Sequence, residues 1–195
     1  MQRNPVVLVH GIWNTAEIFS ALKRHLEQTG WQVYALSMQP NNGDAPLEEL
    51  ALQVRAFVEK CLEPEQPFDL IGFSMGGLVS RYYAQRLNGL QRIERFITIS
   101  APHHGTALGW FSHRYGIRQM RPNSPFINDL NADIHTLSTT KFFSLWTPFD
   151  LLILPPKSSV ISPDIGCTTR LKIPAHNRMI REYPALEKVC ECLCS

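Results

Sequence analysis

Ser74 stands between glycines at positions 72 and 76 in the stretch IGFSMGGLVS. A serine hydroxyl is a poor nucleophile at neutral pH and needs a base to accept its proton. Histidine suits that task because its pKa lies near neutrality. A buried carboxylate can hold the ring in the useful tautomer and stabilise the imidazolium. His176, in IPAHNRMI, and Asp150, in WTPFDLLI, follow Ser74 along the chain. These three side chains could attack an acyl carbon if the fold gathers them in one place.

The elements that must gather them are legible as an alternation of apolar runs and helical periods. PVVLVH is a continuous valine-rich run, the pattern of a parallel strand buried on both faces. In NTAEIFSALKRHLEQTG, residues Ile18, Leu22 and Leu26 recur at helical spacing and Gly30 closes the helix. QVYALSM reads as a second strand and LEELALQVRAFVEKCL as an amphipathic helix. FDLIGFS and MGGLVSRYYAQRLN form a strand–helix pair around Ser74, and IERFITISAP is a fourth strand. KFFSLWTPFD and TTRLKIPAH predict the fifth and sixth strands, and YPALEKVCECL the last helix. Between the fourth and fifth strands lies a long irregular stretch with one short helix, SPFINDLN, whose Ser124-Pro125 start suits an N-cap followed by a first-turn proline.

Strands alternating with helices predict an α/β fold of about six mostly parallel strands with helices on both faces. Ligands in such folds bind beyond the carboxyl ends of the strands. His10-Gly11, Ser74 and Asp150 fall at such ends, and His176 follows the last strand. The Gly72-Phe73-Ser74-Met75-Gly76 pattern, placed between a strand and a helix, fits a nucleophile elbow. There the flanking glycines remove collisions that larger side chains would make, and Gly77 lets the helix approach the sheet.

With VVLVHGIW, GFSMGG, TISAPHHGT, WTPFDLLI and IPAHNRMI in place, the chain resembles the α/β-hydrolase superfamily of small lipase and esterase type. It is most similar in outline to compact bacterial lipases without a large cap. The resemblance implies a Ser74–Asp150–His176 triad, with the backbone N–H groups of Ile12 and Met75 as the oxyanion hole and His10 and Gly11 shaping its loop. It implies hydrolysis of carboxylic esters through an acyl-serine intermediate. Thioester hydrolysis or acyl transfer would use the same residues, because fold does not choose among them. A non-catalytic binding module on the same scaffold would be expected to lack a triad member.

Other residues compete for these roles. His103 and His104, after the fourth strand, rival His176 as the base, whereas His25 is expected on a solvent-facing side of the first helix. Asp164 is the alternative acid. Asp129 and Asp133 suit the short helix, and Asp69 starts the elbow strand at the wrong edge of the sheet.

Length and composition bound the rest. A chain of 195 residues is long enough for one domain with a real core, here expected over residues 1–195 with a lid-like insertion at about 104–135. That insertion mixes Leu108, Trp110, Phe111, Tyr115, Ile117 and Met120 with His113, Arg114, Arg118 and Arg121, a pattern for weak contact with a membrane surface. A net charge of +2 gives no nucleic-acid footprint. No metal or cofactor is expected: CxCxC near the C-terminus lacks paired zinc-ligand spacing, and no dinucleotide fingerprint follows the first strand. The odd number of cysteines, 5, and an N-terminal MQRNPVVLVHG without an apolar leader point to the cytoplasm; a monomer is the expectation, though no residue pattern fixes the oligomeric state.

Overall fold

The computed structural model describes residues 3–195. Six strands form one sheet in the order β2-β1-β3-β4-β5-β6, and every neighbouring pair is parallel. The strands are β1 (Val6–Val9), β2 (Val33–Leu36), β3 (Phe68–Phe73), β4 (Ile93–Ile99), β5 (Lys141–Trp146) and β6 (Cys167–Arg170). The helices are α1 (Ser20–Gln28), α2 (Leu47–Cys61), α3 (Met75–Arg86), α4 (Tyr115–Gln119), α5 (Pro125–Ala132) and α6 (Tyr183–Cys194).

The sheet divides the core in two. Val7 and Val9 of β1 point to one face, with Leu50, Val54 and Val58 of α2, Leu78 and Val79 of α3, and Leu130 of α5. Val6 and Leu8 point to the other, with Leu22 and Leu26 of α1 and Val189 and Leu193 of α6. This is why β1 reads as an unbroken apolar run: successive side chains alternate between faces, and both faces are covered. Full burial of each such Val, Leu or Phe contributes about 1.5–3 kcal/mol. Among the described residues, no helix is long and apolar enough to cross a membrane.

The irregular stretch after β4 holds more helix than its sequence predicts. Two short 3-10 turns (Ala107–Phe111 and Ile134–Thr139) and α4 join the expected α5, whose Ser124 side chain accepts from the Ile127 N–H at 3.2 Å. Helix α4 has 5 residues, too few to display an apolar period. It sits where Gly116 lets the backbone approach the 43–45 loop; a Cβ there would lie 2.5 Å from the Ala45 carbonyl oxygen. His25 also differs from its expected solvent-facing position. It packs edge-on to Tyr183 and lies 3.0 Å from Glu187 of α6, a helix far away in sequence.

Candidate active site

Ser74 joins β3 to α3 at φ 55° and ψ −126°, a conformation that L-residues rarely adopt. The glycines around it make the turn possible by close approach. A Cβ on Gly72 would lie 2.6 Å from the Gly77 Cα, and one on Gly76 would strike the Val9 and His10 carbonyl oxygens. The Ser74 N–H is anchored to the Ile99 carbonyl at 2.9 Å, so β4 fixes the corner from the side. Its hydroxyl opens into a cavity of about 560 Å³ whose wall is mostly apolar.

His176 begins a 3-10 turn after β6 and lines the same cavity. Its Nδ1 donates to Asp150 Oδ2 at 2.6 Å, and both side chains are buried. Asp150 Oδ1 accepts from the backbone N–H groups of Leu152 and Ile153, each at 2.9 Å. The carboxylate is therefore fixed by its own loop, and it fixes the imidazole in the tautomer that leaves Nε2 free to accept a proton. The Phe73 ring, 4.8 Å from the imidazole, supports it from beneath. Asp150 does not end β5 as the sequence suggests. The strand stops at Trp146, and a turn tied by Thr147 Oγ1 to the Ile173 carbonyl at 2.6 Å carries the chain on to Asp150.

The loop after β1 comes against Ser74. A Cβ on Gly11 would lie 2.9 Å from the Ser74 Cβ, so only glycine admits this approach. Among the described residues, the amides of Ile12, in this loop, and of Met75, the first residue of α3, make no hydrogen bond. His10 is fully buried behind them. The Met38 N–H donates to its Nε2 at 2.9 Å, and its Nδ1–H donates to the Gly11 carbonyl at 2.8 Å. Burial lowers its pKa. His10 is thus a neutral brace between β1, the loop after β2 and the Gly11 turn.

The rival residues lie elsewhere. His103 is buried beside Thr98 Oγ1 at 3.0 Å, and desolvation pushes its pKa well down. His104 is exposed and meets the Val160 carbonyl. Asp164 is exposed and bonds Ser162. Asp129 and Asp133 both pair with Arg86. Asp69, in β3, pairs with Arg95.

Leu108, Phe111, Ile117 and Met120 of the insertion line the cavity, as do three residues the sequence reading passes over: Trp13, Leu152 and Ile153. The signal for the last two was present in LLIL, an apolar run directly after Asp150 with neither helical nor strand alternation. Trp110 and Tyr115 face a separate cleft on the far side of α4.

A sequence profile of the family described as palmitoyl protein thioesterase matches residues 5–114. The chain is 33% identical over 112 residues to palmitoyl-protein thioesterase 3 of Dictyostelium discoideum, covering 52% of this chain and 36% of that protein. It is 30% identical over 117 residues to a triacylglycerol lipase of Pseudarthrobacter phenanthrenivorans, covering 56% and 36%. The chain therefore spans about a third of the length of the curated relatives it matches. In fold it is similar to the mature Bacillus licheniformis lipase BlEst2, with a TM-score of 0.77, 16% identity, and coverage of 98% of this chain and 92% of that one. Aspergillus fumigatus lipase B gives a TM-score of 0.80 at 18% identity, with coverage of 99% and 53%.

Proposed function

The chain belongs to the palmitoyl protein thioesterase family, and from that membership we propose that it hydrolyses carboxylic esters of apolar acyl groups through an acyl-serine intermediate. The observation that carries this reading is the buried Asp150–His176 pair opening, with a strained Ser74, into one apolar cavity. In the proposed reaction His176 takes the Ser74 proton as Oγ attacks the acyl carbon. The Ile12 and Met75 amides hold the oxyanion, where preorganised donors are worth most. Protonated His176 then delivers its proton to the leaving group, and water repeats the sequence to free the acid. Thioesters are a second substrate class for the same steps, favoured by the family match; acyl transfer would replace the water with another acceptor. An organophosphonate probe followed by peptide mass spectrometry should place the adduct on Ser74. Modification of another residue with Ser74 free would overturn the assignment.

The insertion at about 104–135 is proposed to be a fixed roof rather than a swinging lid. The Thr106 N–H donates to the Met120 carbonyl at 2.7 Å, and the Gly116 N–H to the Gly43 carbonyl at 2.9 Å. Gln119 holds both Glu48 oxygens, and Arg86 holds Asp129 and Asp133. At the cavity mouth Trp13, Phe111 and Leu152 are exposed, and over the neighbouring cleft so are Trp110 and Tyr115, beside the basic Arg118 and Arg121. This combination supports weak docking to an anionic lipid surface. The odd cysteine count supports a reducing compartment such as the cytoplasm.

A further inference from the structure

Trp13 follows the Ile12 amide directly, in a turn closed by the Asn14 N–H donating to the Gly11 carbonyl at 3.3 Å. It occupies the third position of that turn at φ 57°. Such a position asks for glycine or asparagine, because a Cβ is crowded at positive φ. A tryptophan there is strained, and the strain is held in place from outside the turn. The Trp13 N–H donates to the Asn41 carbonyl at 2.7 Å, and Asn41 Nδ2 donates to the Asn14 carbonyl at 2.7 Å. The indole does not recover the strain by burial, since it is 66% exposed. The part that is covered lines the cavity shared by Ser74 and His176. Backbone strain that persists without a packing gain points to a functional site.

We propose that Trp13 is a specificity-determining residue that reads acyl-chain length. Ile117, Met120 and Ile153 form the buried wall of the cavity, whereas Trp13, Phe111 and Leu152 stand exposed at its rim. A short acyl group on Ser74 is contained by the wall. A long one runs out of the cavity and covers the indole, removing apolar surface of both from water. The strained turn keeps the ring at the rim and beside the oxyanion amide, so chain length is sensed where the ester is held.

This inference rests on the acyl-hydrolase reading, and its test separates the two. Aryl esters from butanoyl to hexadecanoyl would be compared for the wild type, Trp13→Gly and Trp13→Phe. In Trp13→Gly the ratio of kcat/KM for long over short chains should fall about tenfold, the low end of what one missing methylene is worth in an apolar pocket. Trp13→Phe should restore most of the ratio. The Tm of Trp13→Gly should not fall, because glycine suits the turn. An unchanged ratio overturns the proposal, as does an equal change when the acyl group is held constant and the alcohol is lengthened. The binding of free fatty acids to Ser74→Ala, with and without Trp13→Gly, gives a readout independent of turnover. There the second substitution should weaken hexadecanoate more than butanoate, and equal effects overturn the proposal. If the wild type cleaves none of the esters or their thioester counterparts, the hydrolase reading falls while this comparison still decides the role of Trp13.

Discussion

Asp150 uses both carboxylate oxygens: one accepts two backbone amides and the other accepts from His176. An amide in its place has only one acceptor oxygen. Asp150→Asn must therefore set an NH2 group against either the imidazole N–H or the Leu152 and Ile153 amides. The first arrangement favours the wrong tautomer, and the expected loss is about 10⁴ in kcat. The second leaves buried donors unpaired, at a cost of about 1–3 kcal/mol. Kinetics on a soluble aryl ester and a thermal melt measure the two effects; near wild-type kcat would remove Asp150 from the proposed triad. The proposed site of Ser74, Asp150 and His176 could be drawn from the sequence because such chemistry restricts residue type and their chain order is distinctive. Trp13 was not, because no residue-type rule places tryptophan in a turn that prefers glycine. His10 was legible only as part of a loop, since its brace to Met38 joins segments that become neighbours on folding.

At the scale of elements, β3 and β4 carry a register irregularity at their entrance. Phe68 pairs with Ile93 but Asp69 with Arg95, so Glu94 is the extra residue. Asp69 Oδ1 accepts from the Arg95 N–H at 3.1 Å and lies 3.3 Å from its guanidinium. Desolvation nevertheless outweighs the arginine and raises the Asp69 pKa from 3.8 to about 6. Between about pH 4, where a free aspartate titrates, and about pH 6, the folded protein holds a proton that the unfolded chain has lost. The contribution of Asp69 is therefore most favourable below this window and declines as pH rises through it. Asp69→Asn should flatten the fall of Tm across that window relative to wild type; parallel Tm profiles would contradict this. The strands and long helices were legible because their periodicity spans several residues and each face meets a core. Helix α4 and the 3-10 turns were not, because they are held by the distant 43–48 segment and by arginine contacts rather than by an apolar period.

Over the whole molecule, the insertion is fastened to the body by polar contacts with α3 and with the segment after β4. Buried Arg81 of the elbow helix donates to Asn131 Oδ1 at 3.0 Å and to the Leu130 carbonyl at 2.6 Å. Asn131 in turn donates to the His103 carbonyl at 3.0 Å, so α5, the elbow helix and the end of β4 form one polar cluster. The proposed fixed roof needs no hinge motion to admit substrate, because the cavity already opens to solvent at its rim. Hydrolysis of a short triglyceride should then saturate smoothly below its solubility limit. A jump in rate only when droplets form would show a lid that must be displaced and would refute the fixed roof. The general α/β architecture was legible from the alternation of elements along the chain. The fastening was not, because it couples residues up to 72 positions apart through side chains that a local pattern does not connect.

The imidazole of His10 accepts from one amide and donates to one carbonyl, so a second proton would set two donors face to face at Met38. Burial already disfavours that proton, and His103 is held neutral by the same cause. These two buried imidazoles thus add no protonation event of their own when the solution is acidified towards the working range of a histidine base. On a logarithmic plot of kcat/KM against pH, the acid limb should have unit slope, counting a single proton. A slope approaching two would mean that a scaffold imidazole is titrating along with the base.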